Sequence, residues 1–229
     1  MLLDQPFVCV HCKKGFMKEK TLVAHMCERK RRALQENEKR VQAGFIAFNR
    51  FWELTQKPKR AKTYDEFADS TYYNAFVKFG SFINNINPLY PDKFIDHIIK
   101  SGVKLDHWCK ESLYEQYLYE ILKSEPVESA VQRSLQTMMD WADEHNAQFE
   151  HYFSYVSLNK AVYDIVNGKV SCWVILNSKL GTEMINKMND EQLEIISPAF
   201  DVKFWLRKFN ECPADVSLVK EILDEVKIK

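Results

Sequence analysis

Cys9 and Cys12 stand two residues apart, His25 follows Cys12 after twelve, and Cys27 follows His25 after one. Thiolate and imidazole are ligands for borderline-soft cations, zinc above all, so this segment carries the plainest chemistry in the chain. The start, MLLDQPF, lacks the basic n-region and long apolar stretch of a secretory leader. The six cysteines are therefore expected in a reducing intracellular compartment, where close pairs bind metal more often than they oxidise. Cys109, Cys172 and Cys212 are isolated beside Trp108, Trp173 and Pro213, and read as buried structural thiols.

From Phe7 the chain reads F-V-C-V-H-C-K-K-G-F-M-K-E-K-T-L-V-A-H, with Phe7, Phe16 and Leu22 as its hydrophobes of note. Spacing and hydrophobes together resemble the zinc-finger family that sets two cysteines on a β-hairpin and histidine on a helix. The resemblance implies one Zn2+ held by Cys9, Cys12 and His25, with Phe16 and Leu22 as a minimal core that the metal supplements. It covers residues 1–27; we recognise no family in the remainder. The family's second histidine is expected at 29–31, where this chain has Arg29, Lys30 and Arg31. Cys27 is the available substitute, giving C-x2-C-x12-H-x-C, and His11, inside the Cys9–Cys12 turn, is the weaker candidate. Residues two apart on an α-helix point about 200° apart, so Cys27 can join His25 on one metal only if the helix breaks at about Met26. The alternative is a small satisfied cluster without metal.

In fingers that read DNA, helix positions −1, 3 and 6 face the bases. Counting back from His25 as position 7, these are Lys18, Thr21 and Ala24, a poor reading set, and one finger covers only about three base pairs. Sequence-specific reading by the finger alone is therefore disfavoured. The surrounding charge points to phosphate instead. Lys13, Lys14, Lys18 and Lys20 on the finger are followed by Arg29, Lys30, Arg31, Arg32, Lys39 and Arg40, then by Lys57, Lys59, Arg60 and Lys62. A finger followed by a basic helix and linker is a plausible phosphate-tracking device with steep salt dependence. The bland alternative is a solvated helix face beside a finger that makes protein contacts.

The whole chain of 229 residues is formally neutral, with 32 Lys+Arg and 32 Asp+Glu. That neutrality is a cancellation. Residues 1–62 carry 15 basic and 6 acidic side chains (+9), and residues 63–229 carry 17 and 26 (−9). At 46% hydrophobic and 13% aromatic the chain is globular, and its few glycines and prolines disfavour turn-rich all-β classes. No apolar run approaches the roughly 18 residues of a membrane span; the longest is Cys172–Leu176.

The elements that must position these groups read as mainly α: a small ββα-like finger (1–27), a basic helix and linker (28–62), and an acidic all-α body (63–229). Leu34, Val41, Phe45, Phe48 and Trp52 form one inward stripe of a helix from Glu28 to about Leu54, with Glu36 and Arg40 paired four apart. KPKRAK at 57–62 reads as an exposed linker, and Thr63–Glu66 as a capping box opening the body. Helices are expected at about 72–86, 91–100, 106–123, 127–143 and 149–166, with a buried helix over Val170–Leu176 although its β-branched content allows a strand. Short amphipathic units follow at 182–188, 190–196 and 201–209, and a last helix after Pro213.

The body has no G-x-S-x-G elbow, Gly-rich phosphate loop, dinucleotide fingerprint or H-E-x-x-H. Its one dense polar set is Asp140, Glu144, His145, Glu150 and His151, more simply a hydrated helix junction than a metal-dependent active site. The expected function is a nonenzymatic, zinc-dependent nucleic-acid-binding accessory protein. Residues 1–62 would hold DNA and the body would dock a protein of the replication, transcription or processing machinery, with no small-molecule substrate and no membrane. The alternatives are a protein adaptor whose finger makes protein contacts, and a divergent nuclease or nucleic-acid-modifying enzyme.

Overall fold

The computed structural model describes residues 6–228. The chain is mainly α, with one two-stranded antiparallel sheet near its start. No helix among the described residues is long and apolar enough to cross a membrane. Two compact units divide between Tyr114 and Glu115.

The first unit opens with β1 (Phe7–Val8) and β2 (Gly15–Phe16), paired Phe7 to Phe16 and Val8 to Gly15. Helices α1 (Glu19–Ala24), α2 (Glu28–Leu34), α3 (Lys39–Gln56), α4 (Tyr64–Ala68), α5 (Tyr73–Ile86) and α6 (Pro91–Lys100) follow. The expected capping box is present: Thr63 Oγ1 accepts from the Glu66 amide, and Glu66 returns the bond to the Thr63 amide at 2.8 Å. Pro91 opens α6 at its first turn, where a missing N–H is harmless. Phe48, Phe67, Phe76, Phe79 and Trp108 form the aromatic centre, joined by tilted and edge-on ring contacts. Helices α3 and α5 cross closely enough that only glycine fits at Gly44 and Gly80. A Cβ on Gly44 would lie 2.6 Å from the Phe76 carbonyl oxygen, and one on Gly80 would lie 2.6 Å from the Gly44 nitrogen.

The single helix expected from Glu28 to about Leu54 is two. Gln35 caps α2 and Glu38 opens α3, so the polar run Glu36-Asn37-Glu38 joins the two helices rather than continuing one. Leu34 therefore leaves the inward stripe and is 68% exposed. Glu36 likewise lies outside α3, and Arg40 pairs with Glu38 at 2.7 Å instead.

The second unit takes up α7 (Glu111–Ser124), which straddles the boundary, and α8 (Val127–His145), α9 (Tyr152–Tyr155), α10 (Leu158–Val166), α11 (Cys172–Asn177), α12 (Lys179–Asn186), α13 (Asp190–Ile196), α14 (Val202–Glu211) and α15 (Pro213–Glu225). The ambiguous Val170–Leu176 segment contains a buried helix, capped by the Ser171 hydroxyl. The helix expected over 149–166 is instead a 3-10 turn and two helices, because Ser157 caps α10. Two buried carboxylates are paired in this unit: Glu125 meets the Arg133 guanidinium through both oxygens, and Asp164 accepts from Lys160 Nζ and the Tyr152 hydroxyl.

Candidate metal centre

Two backbone bonds close the turn that gathers the first cysteines: the Cys9 amide to the Lys14 carbonyl and the Lys13 amide to the Cys9 carbonyl, each 2.9 Å. Lys13 adopts the left-handed conformation at φ 61°, which lets the chain reverse within five residues.

Helix α1 ends at Ala24, and His25 and Cys27 are extended: His25 has φ −69° and ψ 121°, Cys27 has φ −81° and ψ 162°. In extended chain, side chains two apart point to the same side, so the conformation that ends α1 is the one that aims His25 and Cys27 together. The sulfurs of Cys9 and Cys27 are 3.9 Å apart, Cys12 Sγ is 3.2 Å from His25 Nε2, and all four donor atoms lie within 4.8 Å of one another. A tetrahedron with ligand bonds of about 2.3 Å has edges of about 3.8 Å, so the cluster has the size of a four-coordinate site. Among the described residues it is the only set of three or more Cys, His, Asp or Glu donors close enough to share an ion. His11 is not among the gathered donors.

Phe16 and Leu22 are half-buried beside the cluster, and the Phe16 ring lies 4.8 Å from the His25 ring. The Cys9 thiol is lowered to about 7, first by the Cys12 amide at its sulfur, with burial opposing. At Cys12 the Lys14 amide pulls downward, but burial and the neighbouring thiols of Cys27 and Cys9 prevail and the net shift is upward. Cys27 has a second task. Its sulfur accepts from the Lys30 amide at 3.4 Å and caps α2, while Lys30 Nζ donates to the His25 carbonyl at 3.2 Å. Arg29 then donates to the His11 carbonyl at 3.3 Å, so the first turn of α2 holds both the cysteine turn and the segment that carries His25.

The basic residues divide into two groups. Lys13, Lys14, Lys18, Lys20, Arg31, Lys39, Lys57 and Lys59 are exposed and have no carboxylate partner among the described residues. Thr21 is exposed among them on α1. The others are engaged. Arg29 pairs with Asp69 through both carboxylate oxygens, at 2.7 and 2.8 Å, and Arg60 and Lys62 converge on Glu66 at 2.8 and 3.2 Å. Lys62 also rests its ammonium 5.3 Å over the Trp52 ring. Arg32 turns inward, with 12% of its side chain exposed. It bonds the carbonyls of Ala68 and Ser70 and the Glu28 carboxylate, and lies 4.3 Å over Tyr73. That placement corrects its expected position on an open basic face. Asp69 carried no signal in the sequence, since it lies 40 residues from Arg29.

In the second unit His145 sends Nδ1 to the Trp141 carbonyl at 2.8 Å and stacks on the Trp141 ring, and His151 lies edge-on to Tyr155. These two histidines border an open hollow and do not form a metal cluster. Comparison with known protein families, curated proteins and solved structures finds no match to the chain.

Proposed function

We propose that the chain is a nonenzymatic, zinc-dependent nucleic-acid-binding accessory protein that holds DNA through residues 1–62 and uses its helical body to dock a protein of replication, transcription or processing. The observation that carries the reading is the run of exposed, carboxylate-free cations on and behind the Cys9/Cys12/His25/Cys27 cluster. Three thiolates and one imidazole suit Zn2+, and four protein donors leave no open position, which favours a structural ion over a catalytic one. The ion would supply cohesion that three half-buried hydrophobes, Phe7, Phe16 and Leu22, do not. The exposed Lys18, Thr21 and Ala24 offer little base discrimination, so binding is to phosphate and independent of sequence.

If all eight carboxylate-free cations reach phosphate, the slope of log K against log salt on duplex DNA approaches about −7. Mobility shift of labelled duplex and single-stranded DNA across a salt series tests this, with metal content of the purified protein measured in parallel. Absence of binding at low salt, or binding unchanged by deletion of residues 1–62, overturns the reading.

One observation favours the adaptor reading. Val10 and Val23 are 74% and 71% exposed, and Met17 and Met26 are also open, which is more apolar surface than a phosphate-binding finger needs. Capture of a protein partner by the finger without any affinity for DNA supports that alternative.

A further inference from the structure

Resting on the nucleic-acid reading, we propose that Glu66 and Asp69 are an intramolecular competitor for the basic arm, holding Arg29, Arg60 and Lys62 away from phosphate until a polyanion displaces them. The contacts have the form such a device needs. Arg29 and Asp69 meet through two parallel bonds at 2.7 and 2.8 Å, yet their side chains remain 53% and 45% exposed, open to a phosphate polymer. Glu66 receives two cations from the linker, and the Thr63 amide holds its carboxyl down to about 2, so it stays ionised at neutral pH. Exposed pairs of this kind are weak. A phosphate lattice can therefore break them, but each broken pair subtracts from binding.

Arg32 marks the contrast. It is turned inward, bonded to two backbone carbonyls and stacked on Tyr73, so it is structural and unavailable to phosphate. The competitor thus concerns three cations from two segments, held by two carboxylates near the two ends of one short helix, α4. The arm's apparent affinity is then a difference between phosphate and carboxylate contacts, and the number of phosphates engaged at moderate salt is smaller than the number of basic residues suggests.

The test uses the full chain carrying Glu66→Gln and Asp69→Asn together. Glutamine serves the third position of a capping box, and asparagine is tolerated at a helix C-terminus, so α4 keeps both ends. Binding of a short labelled duplex of mixed sequence is followed by anisotropy across a salt series. The variant is expected to bind about tenfold more tightly near 0.1 M salt, the effect of one exposed and two partly exposed pairs no longer broken on binding, and to have a steeper salt slope. A control with the same charge change, Asp106→Asn with Glu128→Gln, removes two exposed carboxylates that form no ion pair with the arm and should change affinity by no more than about twofold.

Coupling supplies a second readout. Arg60→Gln should weaken binding only slightly in the parent and several-fold in the Glu66→Gln background, as expected for residues in one network. Equal binding by parent and double variant overturns the competitor and leaves the nucleic-acid reading standing. Equal tightening by the control assigns the effect to net charge and also overturns it. No binding by any variant at low salt overturns both.

Discussion

Replacing Cys27 separates the two tasks of its sulfur. In Cys27→Ser the hydroxyl can still accept from the Lys30 amide, so α2 keeps a cap while the candidate metal site loses a thiolate; in Cys27→Ala both are lost. A serine-to-alanine change at an N-cap costs about 1 kcal/mol. Structural zinc sites bind with roughly 10–16 kcal/mol of apparent free energy, which shared over four donors assigns about 3 kcal/mol to one ligand. That is more than a hundredfold in affinity. At free metal a thousandfold above the parent's Kd the ion stabilises the fold by about 4 kcal/mol, and a site weakened a hundredfold retains only about 1.4 kcal/mol of this. Competition with a chromophoric chelator measures the affinity, and urea unfolding with and without metal measures the linkage. With metal, both variants should lose most of the stabilisation. Without metal, the serine variant should unfold like the parent and the alanine variant about 1 kcal/mol earlier. A serine variant that binds one equivalent of zinc at parental affinity would refute the assignment of Cys27 and return His11 as the fourth donor.

Gly80→Ala gains helix propensity of up to about 1 kcal/mol. It also forces a Cβ against the Arg40 carbonyl and the Gly44 nitrogen, so a net loss of about 1–3 kcal/mol is expected in thermal unfolding. Arg133→Met strips the bidentate partner from buried Glu125 and should destabilise the second unit by on the order of 3 kcal/mol, read by urea titration. Glu66 is depressed from 4.5 to about 2, so its contribution to stability is complete above pH 4.5 and is lost as pH falls toward 2. Glu66→Gln should flatten the acid limb of the stability profile in that window, and an unchanged limb would count against the ion pairs at Glu66.

Local chemistry was the part of this fold open to reading from the sequence. Thr63 with Glu66, Pro91 at the start of α6 and the spacing of Phe76, Phe79 and Ile83 each act within a turn or two of the helix they define, so a short window contains them; Tyr72, which the same spacing places inward, is 56% exposed, and Tyr73 is the buried ring. The donors Cys9, Cys12, His25 and Cys27 were legible for the same reason, and the need to reconcile His25 with Cys27 called for a helix break near Met26, which falls two residues earlier, after Ala24. What escaped was set by distant partners. Arg32 turns inward because the carbonyls of Ala68 and Ser70 wait there, 36 and 38 residues away, and no local pattern marks it apart from Arg31. The break at Gln35–Glu38 lay within a run that keeps enough helical spacing to hide it. Likewise the Arg40 pairing moved from Glu36 to Glu38 only because that break removed Glu36 from the helix.

The double duty of Cys27 bears on how the chain can be dissected. A cluster of four donors within nineteen residues invites excision as a self-contained bead. A peptide ending at Cys27 would keep all four donors but lose the Lys30 amide at the sulfur, the Lys30 ammonium at the His25 carbonyl and the Arg29 guanidinium at the His11 carbonyl. Arg29 is itself anchored by Asp69, and α2 by the Tyr64 hydroxyl on the Arg32 carbonyl. The smallest excisable piece that retains these supports therefore runs through Asp69, the residue that caps α4, and transplanting residues 7–27 alone would carry the four donors without their scaffold.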